Sequence, residues 1–150
     1  MIITICSSIE FTPKILEVKS ILESKGHKVN IPYYSNRILK GEIKYEEYMK
    51  EKEMNGDINL RNSQKVDFFD RYYALIKDSD AILIINEEKK HIKNYIGGNT
   101  LIEMGFAYVL KKKIYLLNGI PKKCERMHYV DEIVDLKPII LNGDLSKISP

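Results

Sequence analysis

Five short apolar runs punctuate this chain, and between them apolar residues recur at helical spacing. The runs are Ile2 to Cys6, Lys28 to Ile31, Ala81 to Ile85, Ile114 to Leu117 and Pro138 to Leu141. Ala81 to Ile85 has no polar position, the pattern of a strand covered on both faces. After the first run, Ile15, Leu16, Val18, Ile21 and Leu22 fall on one helical face that ends near Gly26. A second helix, from about Thr100 to Lys111, leads into the fourth run. Strands alternating with helices predict a parallel sheet with helices on both faces.

The stretch from Tyr33 to Ser79 is too long for a simple crossover. Its pattern predicts two helices. The first runs near Ile43 to Met54 and stops around Gly56. The second starts near Asn62-Ser63 and sets Val66, Phe69, Tyr73 and Ile76 on one face. Lys and Glu dominate between Ser35 and Leu60, which marks a surface excursion: a lid or a subunit contact. Tyr45, Tyr48 and Met49 form an apolar stripe on it, with Phe68, Tyr72 and Phe106 nearby in sequence. Such a surface predicts a homodimer, or a dimer of dimers; the alternative is that these rings pack on their own sheet.

Composition narrows the class. The chain has 150 residues, 44% hydrophobic and 30% charged, which fits a single globular domain spanning 1–150 and excludes disorder. No apolar run approaches the roughly 18 residues needed to cross a bilayer. The opening Met1 to Cys6 has no basic flank and is too short for a signal-peptide core, so a cytoplasmic protein is expected. Cys6 and Cys124 lie far apart and should remain thiols. The net charge of +3 comes with interleaved acids and bases. The basic runs Lys89-Lys90-His91, Lys111 to Lys113 and Lys122-Lys123 have no aromatic interleaving, so neither a nucleic-acid nor a membrane partner is expected. His27, His91 and His128 lack ligand spacing, and neither a metal nor another cofactor is expected.

In open parallel sheets, ligands bind beyond the carboxyl ends of the strands. Four loops stand there: Ser7 to Glu10, Pro32 to Tyr34, Asn86 to Thr100, and Asn118-Gly119. The phosphate-loop, dinucleotide, nucleophile-elbow and zinc-protease motifs are all missing. Asn94 to Tyr108 carries the most information. Gly97 and Gly98 permit unusual dihedrals and close approach of a ligand just before a helix N-terminus, which favours oxygen-rich or anionic groups. Glu103 falls in the first turn of the expected helix, and Gly105 would let another backbone or a ligand come close. Thr100-x-x-Glu103 is also a capping-box pattern, in which Glu103 only bonds back to the Thr100 N–H.

The segment Gly98-Asn99-Thr100-Leu101-Ile102-Glu103-Met104-Gly105, between the runs Ala81 to Ile85 and Ile114 to Leu117, resembles the nucleoside 2-deoxyribosyltransferase-like superfamily. That superfamily includes 2'-deoxynucleoside 5'-phosphate N-hydrolases; phosphoribohydrolases with a related loop are neighbours. Ile5-Cys6-Ser7-Ser8-Ile9 is similar to the family's first strand and substrate loop. The fold then expected is a flavodoxin/Rossmann-like three-layer sandwich with a five-stranded parallel sheet and a helical excursion between strands two and three. The resemblance implies N-glycosidic hydrolysis or (deoxy)ribosyl transfer on a nucleoside or nucleotide, with Glu103 as nucleophile on C1'. Gly97, Gly98, Asn99 and Thr100 would hold the sugar, Ser7, Ser8 and Ile9 would frame the pocket, and Asn118 would contribute across a dimer interface.

Three positions depart from the family pattern. Glu10 stands where phosphate-binding relatives carry Arg, which predicts a preference for nucleosides over 5'-monophosphates. Gly97 replaces an Asp, which leaves open a non-catalytic sensor of a nucleotide-derived ligand. Tyr72 falls where an Asp is expected on the helix before strand three, and Asp70 is the nearest substitute as a second catalytic acid.

Overall fold

The computed structural model describes residues 1–64 and 67–150, with side chains described outside 57–66. Val66 of the expected helical face lies outside the described residues. The five apolar runs form β1 (Ile2–Cys6), β2 (Lys28–Asn30), β3 (Ala81–Ile84), β4 (Lys113–Leu116) and β5 (Ile139–Ile140). They pair in parallel in the order β2-β1-β3-β4-β5. This is the flavodoxin-type order, and it puts a switch point between β1 and β3. From β1 the chain crosses to β2 on one side, and it returns to β3 on the other. The loops that follow β1 and β3 therefore diverge and leave a crevice.

Side-chain alternation assigns the two faces. Ile3, Ile5, Leu83, Ile85, Tyr115 and Leu117 point to one side, where α1 (Thr12–Ser24) covers them with Ile15, Val18 and Leu22. Pro13 sits in the first turn of α1, where its missing N–H costs nothing, and Gly26 at φ +87° turns the chain after it. Cys6, Ile82, Ile84, Ile114 and Leu116 point to the other side. There they meet Tyr72 and Ile76 of α4 (Phe68–Lys77), Met104 and Ala107 of α5 (Gly98–Val109), and Ile133 of α6 (Val130–Asp135). Buried Thr4 faces this side and meets the Ser79 hydroxyl at 2.7 Å, so a polar group inside the sheet is paired.

The excursion differs from its sequence pattern. Pro32-Tyr33-Tyr34 opens a helix, α2 (Tyr33–Leu39), rather than forming a loop. The next helix, α3 (Tyr45–Gln64), does not stop at Gly56; it kinks there, at φ 70° and ψ 164°. The segment before β5, expected to be irregular, contains α6. Tyr48 and Tyr72 are buried and Phe68 packs with Tyr34 and Tyr48, so these rings do not form the expected outer surface. Phe69, Tyr73, Ile102, Tyr108 and Val109 on α4 and α5 are exposed, as are Leu39 on α2 and Met54 on α3.

Candidate functional site

A cavity of about 300 Å³ opens at the switch point. Its floor is Ser7, Ser8 and Ile9 after β1, together with Gly97, Gly98, Asn99, Thr100 and Glu103 around the start of α5. Tyr33, Tyr34, Tyr48, Phe68, Phe69 and Tyr72 line its aromatic side, and Lys52 and Lys89 bring two cations to it. One hydrophobic residue group thus spans three helices of the excursion, held by ring contacts such as Tyr34–Tyr48 at 4.9 Å and Tyr34–Phe68 at 5.8 Å.

The expected capping box does not form. Gly97 is the N-cap of α5, no side chain caps the helix, and Thr100 is its third residue. Glu103 is the sixth, a turn further in than expected, so its carboxyl is not spent on the Thr100 N–H. The glycines also act differently from expectation. Gly97 has φ −80° and Gly98 is not left-handed, so neither uses the conformational freedom of glycine. A Cβ at Gly98 would meet nothing within 4 Å; the absent side chain leaves room beside the helix N-terminus. Gly105 likewise has no close neighbour to accommodate.

Among the described residues, Glu103 is the one carboxylate lining the cavity. Burial pushes its carboxyl up to about 8, against a smaller downward pull from the Cys6 thiol that bonds to it. Cys6 and Tyr72 are fully enclosed beside it, and burial followed by the Glu103 charge pushes the pKa of both well up. The Tyr72 hydroxyl donates to the Ile5 carbonyl at 3.2 Å. Tyr72, the position where an Asp was expected, is therefore the α4 residue beside Glu103. Asp70 is exposed and outside the cavity lining, and its amide donates to the Asp67 carboxylate that caps α4. The one-turn geometry of a helix explains the difference: residues two apart face different sides.

The loop from β3 to α5 is fastened at both ends. Asn86 is fully buried; its side-chain amide donates to the Gly119 carbonyl at 2.9 Å and its side-chain oxygen accepts from the Asn118 N–H at 2.9 Å. Asn118 in turn donates to the Asn86 carbonyl at 3.1 Å and to Glu87 at 3.3 Å. Asn118 does not line the cavity; its amide is engaged in joining the ends of β3 and β4. At the far end the Tyr129 hydroxyl donates to the Ile96 carbonyl at 2.6 Å. Within the loop, Lys90, His91 and Asn94 are left-handed, and an isolated bridge joins Lys89 to Ile92.

That loop aims Lys89 into the cavity rim. Its ammonium donates to the Ser8 hydroxyl at 2.9 Å, lies 5.2 Å from the Tyr95 ring centre, and meets Glu10 at 3.2 Å. Lys52 of α3 meets the same Glu10 oxygen at 3.3 Å. Two cations thus meet the one acid at this end, a charge arrangement that the expectation drawn from Glu10 alone did not include. Ser7 donates to the Ile85 carbonyl at 2.9 Å, which orients the loop and leaves its oxygen able to accept. Lys52 and Lys89 were not selected from sequence. Lys89 stood in a basic run without aromatic interleaving, and Lys52 among the many charged residues of the first excursion helix. No group of three or more His, Cys, Asp or Glu able to hold a metal stands together among the described residues. None of the helices searched is long and apolar enough to cross a membrane.

Comparisons with known proteins add a likeness in structure. No protein-family model and no curated protein matches the chain. Among solved structures, the CMP N-glycosidase BcmB of Clostridium botulinum is similar over 95% of this chain and 90% of its own, at 17% identity and a TM-score of 0.46. A likeness at that level does not carry an activity across.

Proposed function

We propose that this chain, acting as one domain, breaks the N-glycosidic bond of a nucleoside or nucleotide by hydrolysis or transfer, with Glu103 as nucleophile. The observation that carries this reading is a lone carboxyl in a cavity at the switch point, beside an uncapped helix N-terminus and free of any capping role. The ionised Glu103 attacks C1' as the bond to the base breaks, and the base leaves with the electron pair. Water or a second base then displaces the carboxylate from the glycosyl-enzyme and restores it. The N-terminal amides of α5 and the loop Ser7 to Ile9 suit the sugar and its 5' side. The aromatic side, led by Tyr33 and Phe68, suits a base. With Lys52 and Lys89 at the rim, a 5'-phosphorylated substrate fits better than the nucleoside expected from Glu10 alone.

Incubation with a panel of nucleosides and their 5'-monophosphates, followed by chromatography, tests the reading. Release of free base that falls at least ~10³-fold in Glu103→Gln is expected, since binding does not replace a missing nucleophile. Binding of a nucleotide without turnover at any pH would favour the second reading, a sensor. That reading has its own support: a carboxyl near 8 is mostly the neutral acid at pH 7, a hydrogen-bond donor rather than a nucleophile.

A further inference from the structure

Three parts of the chain distant in sequence meet on Glu10, in the short turn after β1. The Tyr45 hydroxyl, from the first turn of α3, donates to its carbonyl at 2.5 Å. Its carboxylate oxygen faces the ammonium groups of Lys52 at 3.3 Å and Lys89 at 3.2 Å. Both lysine side chains are largely enclosed, 13% and 10% exposed, and both line the cavity, whereas Glu10 stands behind them. Two enclosed ammonium groups repel each other. Burial first, and then the Lys52 charge, lowers the Lys89 pKa, while Glu10 opposes both. Burial alone would raise Glu10, but the two lysines outweigh it and hold the carboxyl below its ordinary value.

Elsewhere on the described part of α3, Tyr48 and Met49 pack into the aromatic cluster. Glu46, Glu47, Lys50, Glu51 and Glu53 are exposed, and Tyr48 is its one buried side chain among the described residues. An isolated surface ion pair contributes ~1 kcal/mol or less. One carboxylate gathering two enclosed cations at a cavity rim is a different arrangement: it stores positive charge where a ligand enters.

We propose that Glu10 is an internal counter-anion. It gathers Lys52 and Lys89 at the rim, fastens α3 across the cavity, and gives up the two ammonium groups to an oxyanion of the phosphate-ester class on the ligand. Loading of the site and the hold on α3 are then coupled through one residue. This goes beyond the glycosidic reading and does not need turnover to be tested, so the two fail separately.

The test uses inorganic phosphate as probe, with calorimetric binding and hydrogen exchange of residues 45–56 read in the same samples. In Glu10→Gln, phosphate should bind ~3–10-fold tighter at low salt, because the competing charge is gone, and added salt should erase the gain. Without phosphate, α3 amides in that variant should exchange at least ~3-fold faster than in the wild type, and phosphate should restore part of the protection. A merely structural Glu10 would loosen α3 without tightening phosphate, so unchanged or weaker binding overturns the proposal. Lys52→Met gives an independent reading should Glu10→Gln fold poorly. It should bind phosphate at least ~3-fold more weakly and speed exchange in α3; wild-type phosphate binding in Lys52→Met overturns the proposal as well.

Discussion

At the scale of the residue, the state of Glu103 sets two pH dependences. Its carboxyl titrates near 8 in the folded chain against an ordinary value of 4.5. Between those values the native state holds a proton that the unfolded chain has lost, so stability falls as pH rises through this window and levels off above it. Glu103→Gln has no such titration. Its stability relative to wild type should therefore grow by about 4 kcal/mol between pH 5 and pH 9, by urea unfolding. A capping glutamate would give the opposite sign, a loss of ~1 kcal/mol at every pH. If the reactive form is the carboxylate, kcat/KM for the free enzyme should climb roughly tenfold per unit below pH 8 and flatten above it. A flat profile from pH 6 to pH 9 would remove Glu103 as nucleophile.

At the scale of the element, the long loop between β3 and α5 is held by a single buried amide more than by its own turns. Asn86 bonds both the Asn118 N–H and the Gly119 carbonyl, so it ties the ends of β3 and β4 together. Asn86→Ala leaves those half-buried groups without this partner and should cost about 1–2 kcal/mol in urea denaturation. Because Lys89, Tyr95 and Gly97 all hang on this loop, the same variant should weaken ligand binding. Stability within about 0.5 kcal/mol of wild type would mean that the loop stands without the amide.

At the scale of the whole molecule, α4 and α5 pack on each other and both expose apolar side chains. Phe69, Tyr73, Ile102 and Val109 are between 39% and 74% exposed, and the Tyr73 ring meets Phe106 at 5.5 Å. We propose that this face pairs two copies as a symmetric dimer. Light scattering at micromolar concentration should give twice 17.5 kDa or a higher multiple. Val109→Glu should return the monomer mass, and a wild-type monomer would sink the proposal.

Period and punctuation in the sequence were enough for the sheet. Ala81 to Ile85, Ile114 to Leu117 and Ile2 to Cys6 became strands within one residue of their expected bounds, because central parallel strands are continuous β-branched runs that suit no other element here. Sequence also brought Ser7, Ser8, Ile9, Gly97, Gly98, Asn99, Thr100 and Glu103 into view, and all of them line one cavity. The start of α5 was two residues early, since a glycine N-cap has no side-chain signature, and that shift released Glu103 from the capping box. Tyr72, Lys52, Lys89 and the counter-charge on Glu10 could be joined only by the tertiary structure. Local pattern records which face of an element is apolar, whereas ion pairs between residues 10, 52 and 89 depend on how three separate segments cross the same crevice.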